Sequence, residues 1–207
     1  MQLCQRLFEQ PGDEAAATLA GAAAVFISNA AQAVPLWEQR QPGGGAGEEG
    51  EEEGPVVWDY HVLLISAGSG ESGVLVYDLD SRLSFPCTAR EYAERALRAA
   101  VAPTASSSSS LLPLPSPPLP LRPRFQRLFR VVPARDFLDT FSSDRSHMMR
   151  LDGGGWMALP PAYPPIRGPR ARGPNDLDAF RLISSVECGG PGQVLDEPAL
   201  LSRFGLK

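Results

Sequence analysis

Cysteine and histidine are scarce in this sequence, which has three cysteines and two histidines among 207 residues. The cysteines, Cys4, Cys87 and Cys188, lie far apart and form no Cys-X-X-Cys pair. This spacing argues against a zinc cage or a disulfide framework, and it is typical of proteins in a reducing compartment. We therefore expect the protein in the cytoplasm, with the nucleus as a second location.

Long apolar runs and an excess of positive charge are also missing. The most apolar stretch, residues 15–27, is shorter than the ~20 residues that span a bilayer, and it follows two acidic residues. A signal peptide begins with basic residues, so we expect neither secretion nor a membrane anchor. The 19 Lys and Arg residues against 24 Asp and Glu residues give a net charge of −5, which disfavours nucleic acid as a partner.

One group of arginines runs against that charge balance. Arg124, Arg127 and Arg130 lie at helical spacing, and Arg122 precedes them. Basic residues in such a pattern contact nucleic acid backbones in some proteins. A solvated helix face explains the pattern at least as well, and we keep nucleic acid binding only as a weak alternative.

Glycine and proline are present in excess: 20 glycines and 21 prolines together make up about a fifth of the chain, against an average nearer ~12%. They gather at residues 41–54, 104–123 and 160–174, and they show no three-residue period of the collagen type. The hydrophobic content of 43% allows a sizeable core. We predict a single domain over residues 1–207, with flexible insertions at 41–54 and 104–123 and a proline-rich surface wrap at 160–174.

The insertion at 104–123 combines a serine run with alternating proline and leucine. This composition favours an extended polyproline stretch or disorder over a helix. Its PLPSPPLP segment resembles ligands of proline-binding domains. Such segments are common in loops, so a loop insertion is the better interpretation.

Hydrophobic periodicity between these clusters predicts an α+β fold, in which an antiparallel sheet packs with helices. Helices are expected at residues 1–10, from Thr88 onward where Glu91 completes a capping box, at 134–141, and at 196–204 with Asp196 as cap and Gly205 past the end. Strands are expected at residues 23–28, 34–38, 56–65, 74–79 and 128–132.

The most informative segment, residues 55–80, reads as two strands around a Gly/Ser-rich turn and therefore as a β-hairpin. A turn centred between Ser69 and Gly70 puts His61 directly opposite Asp78. Opposed side chains on one face have Cβ atoms roughly 4.5–5.5 Å apart, so the carboxylate would reach the imidazole. A carboxylate that orients a histidine in this way is typical of nucleophilic hydrolases.

Spacing alone does not identify the carboxylate that contacts His61. Asp80 lies on the same face as Asp78, and Asp59 lies on the face of His61. A one-residue slip of the hairpin would separate His61 from Asp78, and a purely structural His–Asp pair is the more common occurrence. The other histidine is His147.

Short motifs along nearly the whole chain follow the order and approximate spacing of a known family. They are AVFISN at 24–29, PLW at 35–37, PVVWDYHVLL at 55–64, VYDLD at 76–80, LSFPC at 83–87, RVV at 130–132, SDRSHM at 143–148 and RFG at 203–205. The chain resembles the protein N-terminal glutamine amidohydrolases, and it departs from them mainly in the two insertions.

The resemblance implies a Cys-His-Asp enzyme of papain- and transglutaminase-like architecture. Such an enzyme would need no metal or organic cofactor and would work as a monomer. Its substrates would be proteins that begin with glutamine, and the products would feed the arginylation branch of N-degron degradation. By that pattern His61 is the general base and acid, and Asp78 orients it. Trp58 and Tyr60 are expected to line the substrate cleft.

The same resemblance suggests Asp144 as a partner for the α-amino group of the substrate. An ion pair between Asp144 and Arg145, or another arginine, is the stronger interpretation of that residue.

The resemblance also places the nucleophilic cysteine at the start of the first helix, ahead of Gln2. Cys4 then aligns about two helical turns downstream and is expected in the core, while Cys87 matches a family cysteine that is not the nucleophile. Cys188 matches no family position. We therefore expect no activity from the sequence as given, and two hypotheses stand: an amidohydrolase whose nucleophile lies upstream, or an inactive remnant that binds N-terminal peptides.

Overall fold

The computed structural model describes residues 21–40, 54–67, 73–101, 121–150 and 162–206, together with residues 152, 154–157 and 160. The helix predicted over residues 1–10, which includes Cys4, lies outside the described residues. So does most of each predicted insertion.

The described residues form a six-stranded antiparallel sheet, two small two-stranded sheets and several short helices. The strands are β1 (Ala23–Ser28), β2 (Val34–Leu36), β3 (Val56–Trp58), β4 (His61–Ala67), β5 (Val74–Tyr77), β6 (Cys87–Thr88), β7 (Leu128–Pro133), β8 (Ser142–Ser143), β9 (Ile166–Arg167) and β10 (Gln193–Asp196). The main sheet has the order β10-β7-β1-β4-β5-β6, while β2 pairs with β3 and β8 with β9. This arrangement confirms the predicted α+β class.

The described α-helices are all short: α1 (Ala89–Glu91), α2 (Ala134–Thr140), α3 (Leu177–Arg181) and α4 (Glu197–Arg203). Helix α1 continues directly into a π-helical segment, Tyr92–Ala96. The predicted caps are confirmed, because Thr88 accepts the N–H of Glu91 at 3.1 Å and Asp196 accepts that of Ala199 at 2.9 Å. Among the described residues, no helix has the length and apolar character needed to cross a bilayer.

Strand β1 is the centre of the fold, and all six of its residues are buried. Because side chains alternate along a strand, Ala23, Val25 and Ile27 face one layer, while Ala24 and Phe26 face the other. The first layer contains α1, the π-helical segment and α4; the second contains α2 and α3. We call these the first and second core layers.

The second core layer is built around aromatic rings. The ring of Phe26 lies 5.8 Å from Phe137, 6.2 Å from Phe141 and 5.4 Å from Phe180 between centroids. Tilted and edge-on pairs at such distances each contribute roughly 0.5–1.5 kcal/mol beyond their buried area. The cluster therefore fixes α2 and α3 against the sheet.

The strand predicted over residues 56–65 is two strands, β3 and β4, which belong to different sheets. The break falls at Asp59 and Tyr60, where the Asp59 side chain accepts the N–H of Tyr60 at 2.9 Å and the Asp59 carbonyl accepts the hydroxyl of Ser28 at 2.9 Å. Local side-chain hydrogen bonds of this kind compete with a strand ladder. Strands β6, β8, β9 and β10 were not predicted, because they are too short to show a period.

The arginine pattern is a correction to the sequence analysis. Arg127 and Arg130 do not share a helix face, since β7 begins at Leu128, and both side chains are buried. Arg127 donates to the carbonyls of Pro35 and Leu97 and pairs with Glu197. These two arginines are committed to the interior and are not exposed to a nucleic acid.

We expect Arg127→Ala to lower the free energy of unfolding by roughly 2–4 kcal/mol, because it leaves two buried carbonyls and one carboxylate without their donor. The expected loss of stability is smaller than the loss for a fully buried ion pair, because the Glu197 side chain is partly exposed. Urea unfolding measures it. The control Arg124→Ala removes an exposed guanidinium stacked on Phe125 and should cost less than about 1 kcal/mol. Equal costs for the two variants would contradict the assigned role of Arg127.

Candidate active site

His61 and Asp78 are brought together on the first core layer. His61 is the first residue of β4 and Asp78 directly follows β5. Nε2 of His61 lies 2.9 Å from Oδ1 of Asp78, and both side chains are almost fully buried, at 3% and 2% exposure. The N–H direction is not well aligned with the oxygen, so the contact is a close ion-pair approach and not a straight hydrogen bond.

The contact is made across a different register from the predicted one. Leu64 pairs with Tyr77 and Ile65 with Val76, so the midpoint of the hairpin lies one residue further along the chain. His61 and Asp78 are consequently diagonal neighbours and not a directly opposed pair. Each residue of β4 is opposed to a residue two positions further along than predicted, and an even shift keeps both side chains on the same face.

Asp78 is held by four groups. Oδ1 is approached by His61 and accepts the backbone N–H of Asp80 at 3.0 Å; Oδ2 accepts the Tyr92 hydroxyl at 2.8 Å and the Gln39 amide at 3.1 Å. Burial by itself raises the pKa of Asp78. The contact with His61 and the hydrogen bonds from Gln39 and Tyr92 outweigh burial, and the pKa lies below its ordinary value.

The structure distinguishes the acids that the sequence left open. Asp59 is largely exposed and lies 3.4 Å from Arg181, whereas Asp80 is exposed and reaches Asp78 through its backbone N–H. Asp78 is therefore the carboxylate beside His61.

Trp58 covers the histidine. Its ring centroid lies 5.1 Å from that of His61, with the two rings tilted by 40°. The indole N–H is buried and has no hydrogen-bond acceptor among the residues that the structure describes. The predicted cleft residue Trp58 thus lies at the site itself.

Tyr60 lies on the opposite side of the sheet from His61. Its ring packs on the second core layer, with the guanidinium of Arg181 5.3 Å from the ring centre. Burial, aided by the negative charge of Asp59, raises the pKa of Tyr60. The structure does not bring Tyr60 together with His61.

Asp144 is held in a local turn, where its Oδ1 accepts the N–H of Ser146 at 2.9 Å. Arg145 donates to the carbonyls of Tyr163 and Pro164 and stacks on the Tyr163 ring. Within the described ranges, Asp144 has no hydrogen bond or ion pair with His61 or Asp78.

Neither described cysteine has the environment of a nucleophile beside His61. Cys87 is buried in the first core layer, and burial, with the negative charges of Glu91 and Asp78, raises the pKa of its thiol to about 11. Cys188 packs against the second core layer, where Arg130 donates to its sulfur at 3.1 Å. Cys188 is half-buried, and the backbone and Arg130 together lower the pKa of its thiol despite desolvation.

The ligand atoms of His61, Asp78 and Asp80 lie within 4.8 Å of one another, close enough to hold a cation. A carboxylate offers about four lone-pair positions, and the four groups around Asp78 already use them. The side chains therefore fit an ion pair held by hydrogen bonds better than they fit a metal site.

Sequence reasoning missed two contributors to this site. Gln39 lies outside any recognised motif, and Tyr92 lies within the helix predicted from Thr88 onward. The Tyr92 side chain is only 1% exposed. A buried tyrosine nevertheless needs a partner for its hydroxyl, and that requirement is the signal that pointed to a nearby acceptor.

A buried histidine held by a carboxylate at one end of an antiparallel sheet is an arrangement used by nucleophilic hydrolases. The sequence profile of the N-terminal glutamine amidase family matches residues 1–204. The protein N-terminal glutamine amidohydrolase of Bos taurus is 36% identical over 182 residues, which cover 87% of this chain and 72% of the relative. That of Homo sapiens is 36% identical over 185 residues, covering 89% and 74%.

The relative with the same name from Drosophila ananassae is 40% identical over 143 residues, which cover 69% of this chain and 57% of the relative. The chain belongs to the N-terminal glutamine amidase family.

The lowered pKa of Asp78 predicts a pH-dependent contribution to stability. A carboxyl whose pKa is lower in the folded state stabilises the fold above its unfolded value, near ~4, and loses that contribution as the pH falls through the folded value. We expect the stability difference between the wild type and Asp78→Asn to be largest at neutral pH and to shrink below about pH 4. Urea unfolding across that range measures it. Asp80→Asn, an exposed control, should show a small difference throughout, and a constant difference for Asp78→Asn would contradict the prediction.

The thiol environments predict selective alkylation. At pH 7.5 a thiol with a pKa of about 11 is almost entirely protonated, so Cys87 should react with iodoacetamide at least about 100-fold more slowly than Cys188. Peptide mass spectrometry of the native protein measures the two rates. Urea-unfolded protein is the control, in which both cysteines should react alike. Rapid labelling of Cys87 in the native protein would show that it is not the buried thiol described above.

Proposed function

We propose that this chain supplies the histidine and the carboxylate of an amidohydrolase that converts the N-terminal glutamine of proteins and peptides to glutamate and releases ammonia. The observation that carries the proposal is the buried His61–Asp78 pair beneath Trp58, in a member of the N-terminal glutamine amidase family. Its curated relatives carry the name of that activity. We extend the proposal to a papain- and transglutaminase-like architecture and to a monomer that acts in the cytoplasm, and also in the nucleus.

His61 is the general base and then the general acid in this proposal. Asp78 contacts Nε2, so Nδ1 is the ring nitrogen left for the nucleophile and the leaving group. The Asp78 carboxylate fixes the tautomer and stabilises the imidazolium that forms when Nδ1 takes a proton. Hydrogen bonds of catalytic groups are often poorly aligned without substrate, as is the Nε2–Oδ1 contact.

The nucleophile is a cysteine thiolate. We infer from the family resemblance that it comes from the start of a helix ahead of Gln2. The described cysteines agree with this placement, because Cys87 is a protonated buried thiol and Cys188 packs on the other core layer. A helix N-terminus lowers the pKa of a thiol through the positive end of its dipole.

The proposed reaction has two steps. The thiolate attacks the side-chain carboxamide carbon, and the resulting oxyanion collapses as His61 gives its proton to the departing nitrogen, which leaves as ammonia with a thioester behind. His61 then takes a proton from water, whose oxygen attacks the thioester carbon. Cleavage of the C–S bond yields the γ-carboxylate and the free thiol. The sum is carboxamide plus water giving carboxylate plus ammonium, so no cofactor is required.

Trp58 is the residue we assign to the cleft wall, because its ring lies against His61. For Asp144 we retain the expected contact with the substrate α-amino group only as a position to test. We assign no substrate contact to Tyr60, whose ring packs on the second core layer.

Ammonia release from a Gln-initiated peptide tests the function. Joining the N-terminal residues of the Bos taurus relative ahead of Gln2 should produce activity. In that active form, His61→Ala and Asp78→Asn should each lower kcat by at least about 100-fold, the usual contribution of a general base.

Asp80→Asn is the matched control for Asp78→Asn and should retain activity within about threefold. A peptide beginning with asparagine is the substrate control. Binding of Gln-initiated peptides without ammonia release in the joined form would favour the inactive remnant. Activity of the unjoined chain that exceeds the His61→Ala level would overturn the placement of the nucleophile.

A further inference from the structure

The Asp78 carboxylate is held by more donors than its contact with His61 requires. Besides the groups on Oδ1, its other oxygen, Oδ2, accepts hydrogen bonds from Tyr92 at 2.8 Å and Gln39 at 3.1 Å. The two donors come from opposite directions along the chain, 14 residues after Asp78 and 39 before it. With the carboxylate side chain 2% exposed, protein groups take the place that water has around a surface carboxylate.

The Tyr92 hydroxyl is not lost as a donor through ionisation. Burial and the negative charge of Asp78 raise the pKa of Tyr92 well above its ordinary value, so the hydroxyl keeps its proton at any working pH. An ionised carboxylate only accepts. The proton of the 2.8 Å bond therefore points from Tyr92 to Asp78.

The Gln39 amide makes the longer of the two bonds to Oδ2. Its Nε2 lies 3.1 Å from Oδ2 of Asp78 and also donates to the carbonyl of Trp37 at 3.4 Å. Its Oε1 is buried without a donor among the residues that the structure describes. Tyr92 makes the shorter bond, at 2.8 Å.

We propose that Tyr92 is a positioning residue, whose hydroxyl fixes Oδ2 of Asp78 and thereby aims Oδ1 at Nε2 of His61. The physical reason is rotational: each donor to Oδ2 makes it harder to turn the carboxylate about its Cβ–Cγ bond, and Tyr92 makes the shorter of the two bonds. The role rests on the proposed function, because the aim matters only if His61 transfers protons. The effect of Tyr92 on the charge of Asp78 does not depend on that function.

Tyr92→Phe keeps the ring in the core and removes only the hydroxyl. In the active joined form we expect kcat to fall about tenfold or more, the equivalent of one hydrogen bond to a charged group, with KM within about twofold. The acidic limb of the pH–rate profile should move to higher pH, because Asp78 loses a donor that favours its ionised form. Ammonia release measured from about pH 3 to 9, a range that includes the ionisation of a carboxyl, gives both results.

Tyr77→Phe is the matched control. Tyr77 lies in β5, and its side chain packs on the second core layer, away from Asp78. This variant should therefore leave kcat and the pH–rate profile unchanged. Gln39→Leu removes the second donor to Oδ2 and should shift the same limb in the same direction. It supplies the test should Tyr92→Phe fail to fold, which circular dichroism reports.

A readout without activity separates the two proposals. In protein labelled with carbon-13 at the Asp carboxyls, with Asp78 assigned through Asp78→Asn, the titration midpoint of Asp78 should be higher in Tyr92→Phe than in the wild type. If the midpoint is raised in Tyr92→Phe but the joined form never releases ammonia, the proposed function is wrong, while the hydrogen bond from Tyr92 to Asp78 is supported. An unchanged midpoint together with an unchanged pH–rate profile would overturn the role of Tyr92.

Discussion

The buried negative charge of Asp78 is the constraint on which the site depends. Moving a carboxylate out of water costs several kcal/mol unless donors replace its hydration. Here those donors come from separate parts of the chain: His61 on β4, Gln39 after β2, Tyr92 beyond α1 and the backbone of Asp80. The charge is therefore tolerated only when all these segments are folded together, so that the site and the sheet form as one unit.

The main sheet also separates two kinds of polar chemistry. The first core layer contains the His61–Asp78 pair, while the second contains Arg130, which donates to a loop that includes Cys188 and Gly189. The central strand β1 lies between them with every residue buried. Because a strand directs alternate side chains to opposite faces, a cysteine on the second layer is not a partner for a histidine on the first. This geometry, together with the buried state of Cys87, leaves neither described cysteine in the environment of a nucleophile beside His61.

Sequence reasoning succeeded where local chemistry dominates. Strand β1 was predicted with its observed bounds because it is a continuous apolar run, and the Thr88 and Asp196 caps were found because their hydrogen bonds are local. The hairpin register was wrong, since the length of a connection is not readable from a Gly/Ser-rich run, yet the parity of the strands still paired His61 with Asp78. Arg127 and Arg130 were misjudged because nothing in their spacing reveals the carbonyls, brought close only by folding, that accept their hydrogen bonds.

The π-helical segment Tyr92–Ala96 lies between Asp78 of the site and helix α4. At one end, the Tyr92 hydroxyl donates a hydrogen bond to Asp78. Just past the other end, the carbonyl of Leu97 accepts a hydrogen bond from Arg127, and Arg127 also pairs with Glu197 on α4. One short π-helical segment thus connects Asp78 with α4 through these hydrogen bonds. The two contacts lie within six residues of chain, so the position of the Asp78 side chain and the docking of α4 both depend on this segment.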